Sequence, residues 1–351
     1  MLLVRAPVRI SFAGGGTDLA SYYERYGGMV VSAAIDKYFY VFLNPIGGEG
    51  IQISSSDYSA FARWSAKEQP VHDDVLKLPR AVLQAFGSNE GFSIFLASEI
   101  PPGTGLGSSS TVAVALTKAI STYLGQRLAP GEIAELAAHI EIEKLGSPIG
   151  KQDQYAAAFG GLNVLTFRRD RVQVEPLRQL PAVRQELEAH LLLFYTGSSR
   201  SANAILKEQQ RATTQGRADV VAALHAIKQF ALETREALEA GDLDRFGHIL
   251  QQSWEVKRRL VSGVTNPEID GLYRLARDRG ALGGKITGAG GGGFLLLYCE
   301  PRYQPEVCAA MQAQGLYRME FHFDEGGTKV LLNSSPRPAL VAGDRALSKA
   351  A

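Results

Sequence analysis

Three glycine-rich segments contain the residues best suited to bind a polyphosphate. Residues 101–110 read Pro-Pro-Gly-Thr-Gly-Leu-Gly-Ser-Ser-Ser and lie between a predicted strand and a predicted long helix. Glycines let the backbone approach an anion closely, and a helix N-terminus offers free N–H groups. Three serine hydroxyls add hydrogen-bond donors and oxygen ligands for Mg²⁺. The combination favours a polyphosphate site, whereas a lone glycine loop is more often a turn with serine caps.

Common nucleotide-binding and hydrolase motifs do not match this segment. A Walker A loop needs a lysine that is missing here, and a Rossmann fingerprint needs an acidic residue at the end of a second strand about 20 residues later. The sequence also lacks the HRD and DFG motifs of protein kinases and the Gly-x-Ser-x-Gly motif of hydrolases. The segment therefore indicates a phosphate loop of another kind.

Two further segments indicate ligand binding. Residues 283–293 read Gly-Gly-Lys-Ile-Thr-Gly-Ala-Gly-Gly-Gly-Gly. This is too dense in glycine for an ordinary turn, so we expect a ligand or a second backbone to come very close. Near the N-terminus, Arg9 lies in a strand-like stretch, where an arginine either pairs with a carboxylate or faces a phosphate. Asp18 follows a run of three glycines, where an aspartate is most often a turn cap.

The composition is typical of an enzyme of small-molecule metabolism. The 351 residues include 37 Lys plus Arg and 36 Asp plus Glu, so the formal net charge is +1 and favours neither nucleic acid nor anionic lipid as a partner. The N-terminal residues lack the apolar stretch of a secretory signal, and no run of about 18 apolar residues occurs. The two cysteines form no metal-ligand pattern. We expect a cytoplasmic protein that binds a small molecule, with no nucleic-acid or membrane partner.

Strand and helix patterns predict the elements that would position these segments. Strands are expected at residues 2–12, 30–43, 91–96, 161–166, 191–195 and 294–298, with closing strands at 316–323 and 328–332. Helices are expected at 111–124 and 130–145 and through most of 201–280. A change from β-rich to α-rich character near 170–190 predicts domains at 1–180 and 181–335 and a tail at 336–351.

The three segments together resemble the three motifs of the GHMP kinases, the family of galactokinase, homoserine kinase, mevalonate kinase and phosphomevalonate kinase. Residues 6–9, 101–110 and 285–294 are similar to the first, second and third motifs, in the correct order. The resemblance implies an α+β fold with an N-terminal mixed α/β domain and a ferredoxin-like C-terminal domain. It also implies ATP and Mg²⁺ between the two domains, and a sugar or sugar phosphate that accepts the phosphoryl group.

The resemblance further implies roles for individual residues. ATP would be bound by residues of the second and third motifs, namely Pro102, Gly103, Gly105, Leu106, Gly107, Ser108, Ser109, Ser110, Gly288, Gly290 and Gly291. Ser109 and Glu141 would bind Mg²⁺. Asp153 would be the catalytic carboxylate, with Arg9 beside the reacting hydroxyl. The sugar would contact Gly16, Thr17, Asp18 and Asp153.

Two of these residues have structural alternatives. A helical wheel over the predicted helix 130–145 puts Glu141 on a flank beside Ala134 and Ala137, where small neighbours leave room for a partly enclosed carboxylate. A solvated glutamate is equally compatible with that pattern. Asp153 could instead cap a helix that begins at Gln154.

Within the family, residues 9–19 and 34–38 resemble most closely the bacterial D-glycero-D-manno-heptose 7-phosphate kinases. That group implies phosphorylation of the anomeric C1 hydroxyl, in building nucleotide-activated heptose for surface polysaccharide. The substrate already carries a phosphate, so a cation distant from ATP is expected. Arg200, in a serine-rich turn, is our candidate, and a solvated arginine is the alternative.

Other readings of the same scaffold remain open at this point. The chain could be a fucose- or galactose-type sugar-1-kinase, a decarboxylase, or a sensor that binds ATP and sugar without turnover. The presence of Arg9, Ser109, Glu141 and Asp153 argues against the sensor. The glycine turn before Asp18 argues against the decarboxylase. The sequence does not decide between a monomer and a homodimer.

Overall fold

The structure is a computed structural model that describes residues 1–48, 50–56, 60–64, 76–87, 90–197 and 202–334. Arg200, the predicted ligand of a substrate phosphate, lies outside these residues, and so does the predicted tail 336–351. Within the described part of the chain, no helix combines the length and the hydropathy needed to cross a membrane.

The larger of two β-sheets has eight strands. They are β1 (Leu2–Ala13), β2 (Gly28–Pro45), β3 (Ile51–Ser55), β4 (Ala60–Trp64), β5 (Phe92–Ser98), β6 (Leu162–Phe167), β7 (Val172–Pro176) and β12 (Lys329–Asn333). Their order is β12-β1-β2-β5-β3-β4, and β6 and β7 continue from the first half of β2. Only the pair of β3 and β5 is parallel among these described strands. The long strand β2 therefore connects both branches of the sheet.

The smaller sheet has four antiparallel strands in the order β11-β8-β10-β9. They are β8 (Leu191–Tyr195), β9 (Ala281–Ile286), β10 (Phe294–Cys299) and β11 (Tyr317–Arg318). Of the predicted strand 316–323, only the two residues of β11 form a strand. The predicted loop 283–293 is also partly wrong, because its first four residues belong to β9.

Helices pack on both sheets, and their mixture with the strands confirms the predicted α+β fold class. They are α1 (Ala20–Tyr26), α2 (Lys77–Ala85), α3 (Ser108–Tyr123), α4 (Pro130–His139), α5 (Gln152–Phe159), α6 (Pro181–His190), α7 (Ala202–Thr214), α8 (Ala218–Ala240), α9 (Leu243–Lys257), α10 (Pro267–Asp278) and α11 (Gln304–Ala313). The predicted helix 130–145 is not continuous. Helix α4 ends at His139, and a π-helical turn, Ile140–Lys144, follows it.

The apolar core extends from one sheet to the other. Helix α3 is buried on nearly all faces, as expected for a helix with apolar residues all round. A second cluster combines Val8 and Ile10 of β1 with Phe246 of α9 and Leu296 of β10. Strand β12, although it lies in the predicted second domain 181–335, pairs with β1 in the larger sheet. The two halves of the chain therefore share one sheet and one apolar cluster.

Strand β9 explains why the segment 283–293 begins with two glycines. A Cβ atom at Gly283 would overlap the carbonyl oxygen of Gly247 in α9. A Cβ atom at Gly284 would lie 2.5 Å from the carbonyl oxygen of Leu296 in β10. Helix α9 consequently packs directly against the backbone of β9, and a side chain at Gly283 would separate the two.

We expect the substitution Gly283→Ala to lower the free energy of unfolding by about 1–3 kcal/mol, the usual effect of overpacking. The matched control is Gly271→Ala in α10, where an added Cβ has no atom within 4 Å. That variant should be neutral or more stable, because alanine favours the helix. Thermal unfolding of both variants measures the difference, and equal melting temperatures would contradict the proposed close packing.

Candidate active site

The loop at residues 101–107 leads into the N-terminus of α3, as the sequence predicted. Gly103, Gly105 and Gly107 have φ angles of 76°, 81° and 82°, which side-chain-bearing residues rarely adopt. The first backbone bond of α3 joins Thr111 N to Gly107 O at 3.0 Å. The N–H groups of the preceding residues 108–110 therefore have no partner within the helix. They form the positive end of the helix dipole, a suitable place for a phosphate.

The loops of the second and third motifs lie against each other. A Cβ atom at Gly105 would be 2.5 Å from Thr287 O, and the Thr287 hydroxyl donates to Thr104 O at 3.2 Å. At the other end of the third loop, a Cβ atom at Gly293 would overlap Thr104 O. The high glycine content of residues 283–293 predicted that a ligand or a second backbone comes very close. Residues 104–105 provide such a backbone. The predicted nucleotide-binding residues all lie on these two interlocked loops or on the first turn of α3.

The buried Arg9 and the partly exposed Asp153 form an ion pair beside the second loop. The guanidinium donates through Nε to Asp153 Oδ1 at 2.8 Å, and Nη2 lies 2.6 Å from the same oxygen. Nη1 donates to Gly105 O at 2.7 Å. Asp153 is the second residue of α5 and therefore does not occupy its N-cap, which is Lys151. A Cβ atom at Gly107 would lie 3.0 Å from Asp153 Oδ2, so this oxygen borders the predicted phosphate site.

Asp18 is buried next to this pair and is held by backbone groups. Its Oδ1 accepts from Gly16 N at 2.8 Å, and its Oδ2 accepts from Gln152 N at 3.4 Å. A Cβ atom at Gly150 would overlap the Asp18 carboxylate, which explains the glycine before Lys151. Burial, and secondly the negative charge of Asp153, raise the pKa of Asp18.

Thr17 holds the turn that carries Asp18. Its side chain is fully buried, and its hydroxyl lies 2.8 Å from Gly14 O and accepts from Met29 N at 3.1 Å. The carbonyl of Gly16 accepts from Gln209 Nε2 of α7 at 3.2 Å. The sugar contacts predicted for Gly16 and Thr17 stay predictions, because these hydrogen bonds join the two residues to other residues of the protein.

Glu141 and Ser109 lie together, as the predicted metal pair requires. Ser109 Oγ donates to Glu141 Oε1 at 2.9 Å, and Gln154 Nε2 donates to Glu141 Oε2 at 2.6 Å. Glu141 is only 2% exposed, more deeply buried than the helical wheel suggested, because the π-helical turn changes the direction of its side chain relative to a regular helix. Burial raises the pKa of Glu141 to about 7 despite three hydrogen bonds that lower it.

Sequence reasoning missed two buried lysines and two glutamines of this site. Lys285 Nζ donates to Ser11 O and Phe12 O and so connects β9 to β1. Lys257 Nζ, at the end of α9, donates to Gly288 O at 2.7 Å. The side chains of Gln152 and Gln154 bond to Asp153 and Glu141, respectively. Gln152 and Gln154 had a signal in their position next to the predicted catalytic aspartate, and Lys285 had one in its place in the third glycine-rich segment, whereas Lys257 had none.

Comparison with known proteins identifies the family. Residues 74–161 match the N-terminal domain of the GHMP kinases, and residues 234–315 match their C-terminal domain. The chain is 36% identical over 331 residues to the D-glycero-alpha-D-manno-heptose 7-phosphate kinase of Campylobacter jejuni, covering 93% of this chain and 97% of that protein. The chain belongs to the GHMP kinase family. It is accordingly an ATP-dependent sugar kinase, which confirms that part of the sequence prediction.

Solved structures of other GHMP kinases have the same fold. A D-glycero-D-manno-heptose 1-phosphate kinase from Bacteroides thetaiotaomicron has a TM-score of 0.78 and 31% identity, covering 95% of this chain and all of that one. A putative sugar kinase from Campylobacter jejuni has a TM-score of 0.76 and 35% identity, covering 94% and 97%. The galactokinase of Lactococcus lactis, at 18% identity and a TM-score of 0.76, shares the fold alone.

We expect the effects of substituting Arg9 and Asp153 on the free energy of unfolding to be coupled, because the two side chains form an ion pair. In a double-mutant cycle with Arg9→Met and Asp153→Asn, the coupling energy should be about 1–2 kcal/mol, because the guanidinium is buried and the carboxylate is one quarter exposed. The more exposed pair of Arg235 and Glu239 on α8 is the control and should show a smaller coupling. Additive effects of Arg9→Met and Asp153→Asn on chemical denaturation would contradict this.

Proposed function

We propose that this GHMP kinase transfers the γ-phosphoryl group of ATP to the anomeric C1 hydroxyl of a heptose 7-phosphate. The observation that carries the proposal is the position of Asp153 Oδ2 at Gly107, where a carboxylate borders the loop at the N-terminus of α3. A base and a phosphate site are thereby adjacent. The choice of heptose 7-phosphate is supported by the named relative from Campylobacter jejuni, which matches this chain over nearly its whole length.

The two oxygens of Asp153 have different surroundings, which gives each a separate role. Among the described residues, the hydrogen bonds to Asp153 from Arg9 and Gln152 all go to Oδ1. Oδ2 is the oxygen directed toward Gly107. In the proposed reaction Oδ2 accepts the proton of the sugar hydroxyl as the hydroxyl oxygen bonds to the γ-phosphorus, and ADP leaves with the electrons of the broken P–O bond. Arg9 compensates negative charge near the transferring group.

Mg²⁺ fits the residues at Ser109 and Glu141. Both offer hard oxygen atoms, which Mg²⁺ prefers, and the remaining ligands of such a site are usually substrate phosphates and water. The Glu141 carboxylate is buried with a raised pKa, so an adjacent cation would favour its ionised form. When bound, Mg²⁺ would neutralise charge on the phosphates of ATP.

We propose that this reaction takes place in the cytoplasm. A sugar that carries phosphates at C1 and at the far end of its chain is a precursor for a nucleotide-activated heptose. We therefore propose that the product serves surface-polysaccharide synthesis. Arg200, outside the described residues, remains the predicted ligand of the substrate's existing phosphate.

A coupled ATP-consumption assay over a panel of sugars tests the proposed substrate. The panel contains heptose 7-phosphate, the same heptose without phosphate, mannose, fucose and galactose. We expect the highest kcat/KM with heptose 7-phosphate, and a ³¹P NMR spectrum of the product with a new anomeric phosphate. Turnover of unphosphorylated fucose or galactose alone would replace the proposal with a fucose- or galactose-type kinase.

The substitution Asp153→Asn should reduce kcat by about 10²–10⁴-fold, because an amide orients a hydroxyl but is a very poor base. The dissociation constant of ATP should change little, since the asparagine has nearly the same shape. Asp170→Asn, at an exposed position between β6 and β7, is the control and should behave like the unmodified enzyme. A near-normal kcat in Asp153→Asn would show that positioning by Arg9 matters more than proton transfer.

The substitution Glu141→Gln should raise the Mg²⁺ concentration needed for half-maximal activity by about tenfold or more, since an amide oxygen is a weaker ligand of Mg²⁺ than a carboxylate. The control is Glu143→Gln, an exposed residue of the same π-helical turn. Excess chelator should abolish the activity of every variant. An unchanged Mg²⁺ titration in Glu141→Gln would remove Glu141 from the metal site.

A further inference from the structure

Gly15 differs from the glycines on either side of it. Gly14 and Gly16 have φ angles of 88° and 103°, and a Cβ atom at either would overlap or crowd atoms of the protein. Gly15 has no such φ angle, and the nearest atoms to an added Cβ are at 3.5 Å or more, an ordinary van der Waals distance. The fold itself therefore has room for alanine at residue 15. A Cβ atom at residue 15 would thus make only ordinary van der Waals contacts, so neither backbone strain nor crowding within the protein accounts for glycine there.

Polar atoms from three different elements surround this space. They are Ser11 Oγ of β1 at 3.5 Å, Lys257 Nζ of α9 at 3.6 Å and Gln152 Oε1 of α5 at 4.0 Å, each measured from the added Cβ position. Ser11 Oγ donates to Gln152 Oε1 at 2.9 Å, and Gln152 Nε2 donates to Asp153 Oδ1 at 3.0 Å. We call the space bounded by Ser11, Gln152 and Lys257 the Gly15 pocket. It is connected by hydrogen bonds to the carboxylate of Asp153.

Lys257 has hydrogen-bonding capacity that the described residues do not use. Lys257 is only 7% exposed, and its Nζ donates to Gly288 O at 2.7 Å. An ammonium group has three donors. No ion pair joins Lys257 to a carboxylate in the described part of the chain, although Asp18 and Asp153 are close enough to act on its charge. A buried ammonium with so few partners is unfavourable unless a further acceptor is present.

We propose that the Gly15 pocket receives the acceptor sugar and that Lys257 donates a hydrogen bond to an oxygen atom of that sugar. This inference rests on the proposed function, because it takes a sugar hydroxyl as the partner of Asp153. Through Gly288, Lys257 also contacts the third loop, so the same ammonium lies where the sugar and the phosphate-binding loops meet. Glycine at residue 15 keeps a side chain out of this space, so that an oxygen atom of the sugar can reach Lys257, and Lys257 positions the ring against Asp153.

Two substitutions test the pocket independently. Lys257→Met keeps the apolar stem and removes the donor, and Gly15→Ala fills the pocket with one methyl group and no backbone strain. We expect each to raise the KM of the sugar by about 10–100-fold, the usual effect of losing a hydrogen bond from a charged group or of crowding a ligand. The KM of ATP should rise less than the KM of the sugar in both variants, although Lys257→Met also removes the bond to Gly288 in the third loop.

The matched controls are Lys228→Met and Gly271→Ala. Lys228 also donates to a backbone carbonyl, that of Tyr26, but lies on α8. Gly271 has no atom within 4 Å of an added Cβ and lies on α10. Neither control should change the KM of the sugar. Melting temperatures of all four variants show whether any effect comes from misfolding, and Gly15→Ala remains informative if Lys257→Met does not fold.

The pH dependence gives a readout that a purely structural role would not move. Burial lowers the pKa of Lys257 to about 8, with Asp18 and Asp153 opposing this effect and Arg9 adding to it. The nearby Lys285 is itself held at a lowered pKa. As the pH rises through about 8, the ammonium of Lys257 loses its proton and with it a donor. The kcat/KM for the sugar should fall over this range in the unmodified enzyme, and Lys257→Met should lack this fall.

The outcomes separate this inference from the proposed function. If the enzyme phosphorylates a different sugar of the panel, the proposed substrate is wrong, and the same variants are then measured with that sugar. A selective rise in its KM would still support the Gly15 pocket. The inference is overturned if Lys257→Met and Gly15→Ala leave the KM of the accepted sugar unchanged, or raise the KM of ATP equally.

Discussion

The geometry of the candidate active site depends on the contacts of the buried Arg9 guanidinium. The guanidinium joins β1 to the start of α5 through Asp153 and to the loop before α3 through Gly105. The backbone N–H of Arg9 adds a bond to Leu106 O. Because a guanidinium is planar, permanently charged and costly to bury without partners, these contacts admit little variation. The distance between Asp153, the predicted catalytic residue, and the loop before α3 is therefore set by the strand that carries Arg9.

Other charged side chains of the candidate active site surround the pair of Arg9 and Asp153. Burial shifts the pKa values of several of them in the direction that favours the neutral form. The pKa of Asp18 is raised, and the pKa values of Lys257 and Lys285 are lowered, in each case chiefly by loss of contact with water. Such shifts are common where a protein keeps groups ready for a charged ligand. A substrate that brings phosphate groups and hydroxyls would supply the partners that the lysines lack, so binding would relieve part of the unfavourable burial.

The sequence predicted several of the longer elements and the glycine loop before α3, but not how the side chains combine. The glycine loop before a helix follows a local rule of sequence, whereas the role of Asp153 was implied by the family resemblance. Lys257 gave no such signal, because it lies in the run Glu255-Val256-Lys257-Arg258-Arg259, which is typical of a solvated helix end. The helical wheel put Glu141 on the correct flank for the wrong reason, since it assumes about 100° per residue through a segment that forms a π-helical turn.

The glycines show most clearly what a sequence leaves undecided. The sequence of a glycine-rich loop contains the same glycines whether each one avoids a backbone clash, adopts a left-handed φ or leaves room for a ligand. In the third loop a Cβ atom at Gly290 would lie 2.5 Å from Val264 O, and Gly291 N donates to that same oxygen, so packing within the protein already requires some of these glycines. At Gly15 neither backbone conformation nor packing requires glycine. Only the positions of the surrounding atoms separate these cases, and for Gly15 the reason we propose is the substrate.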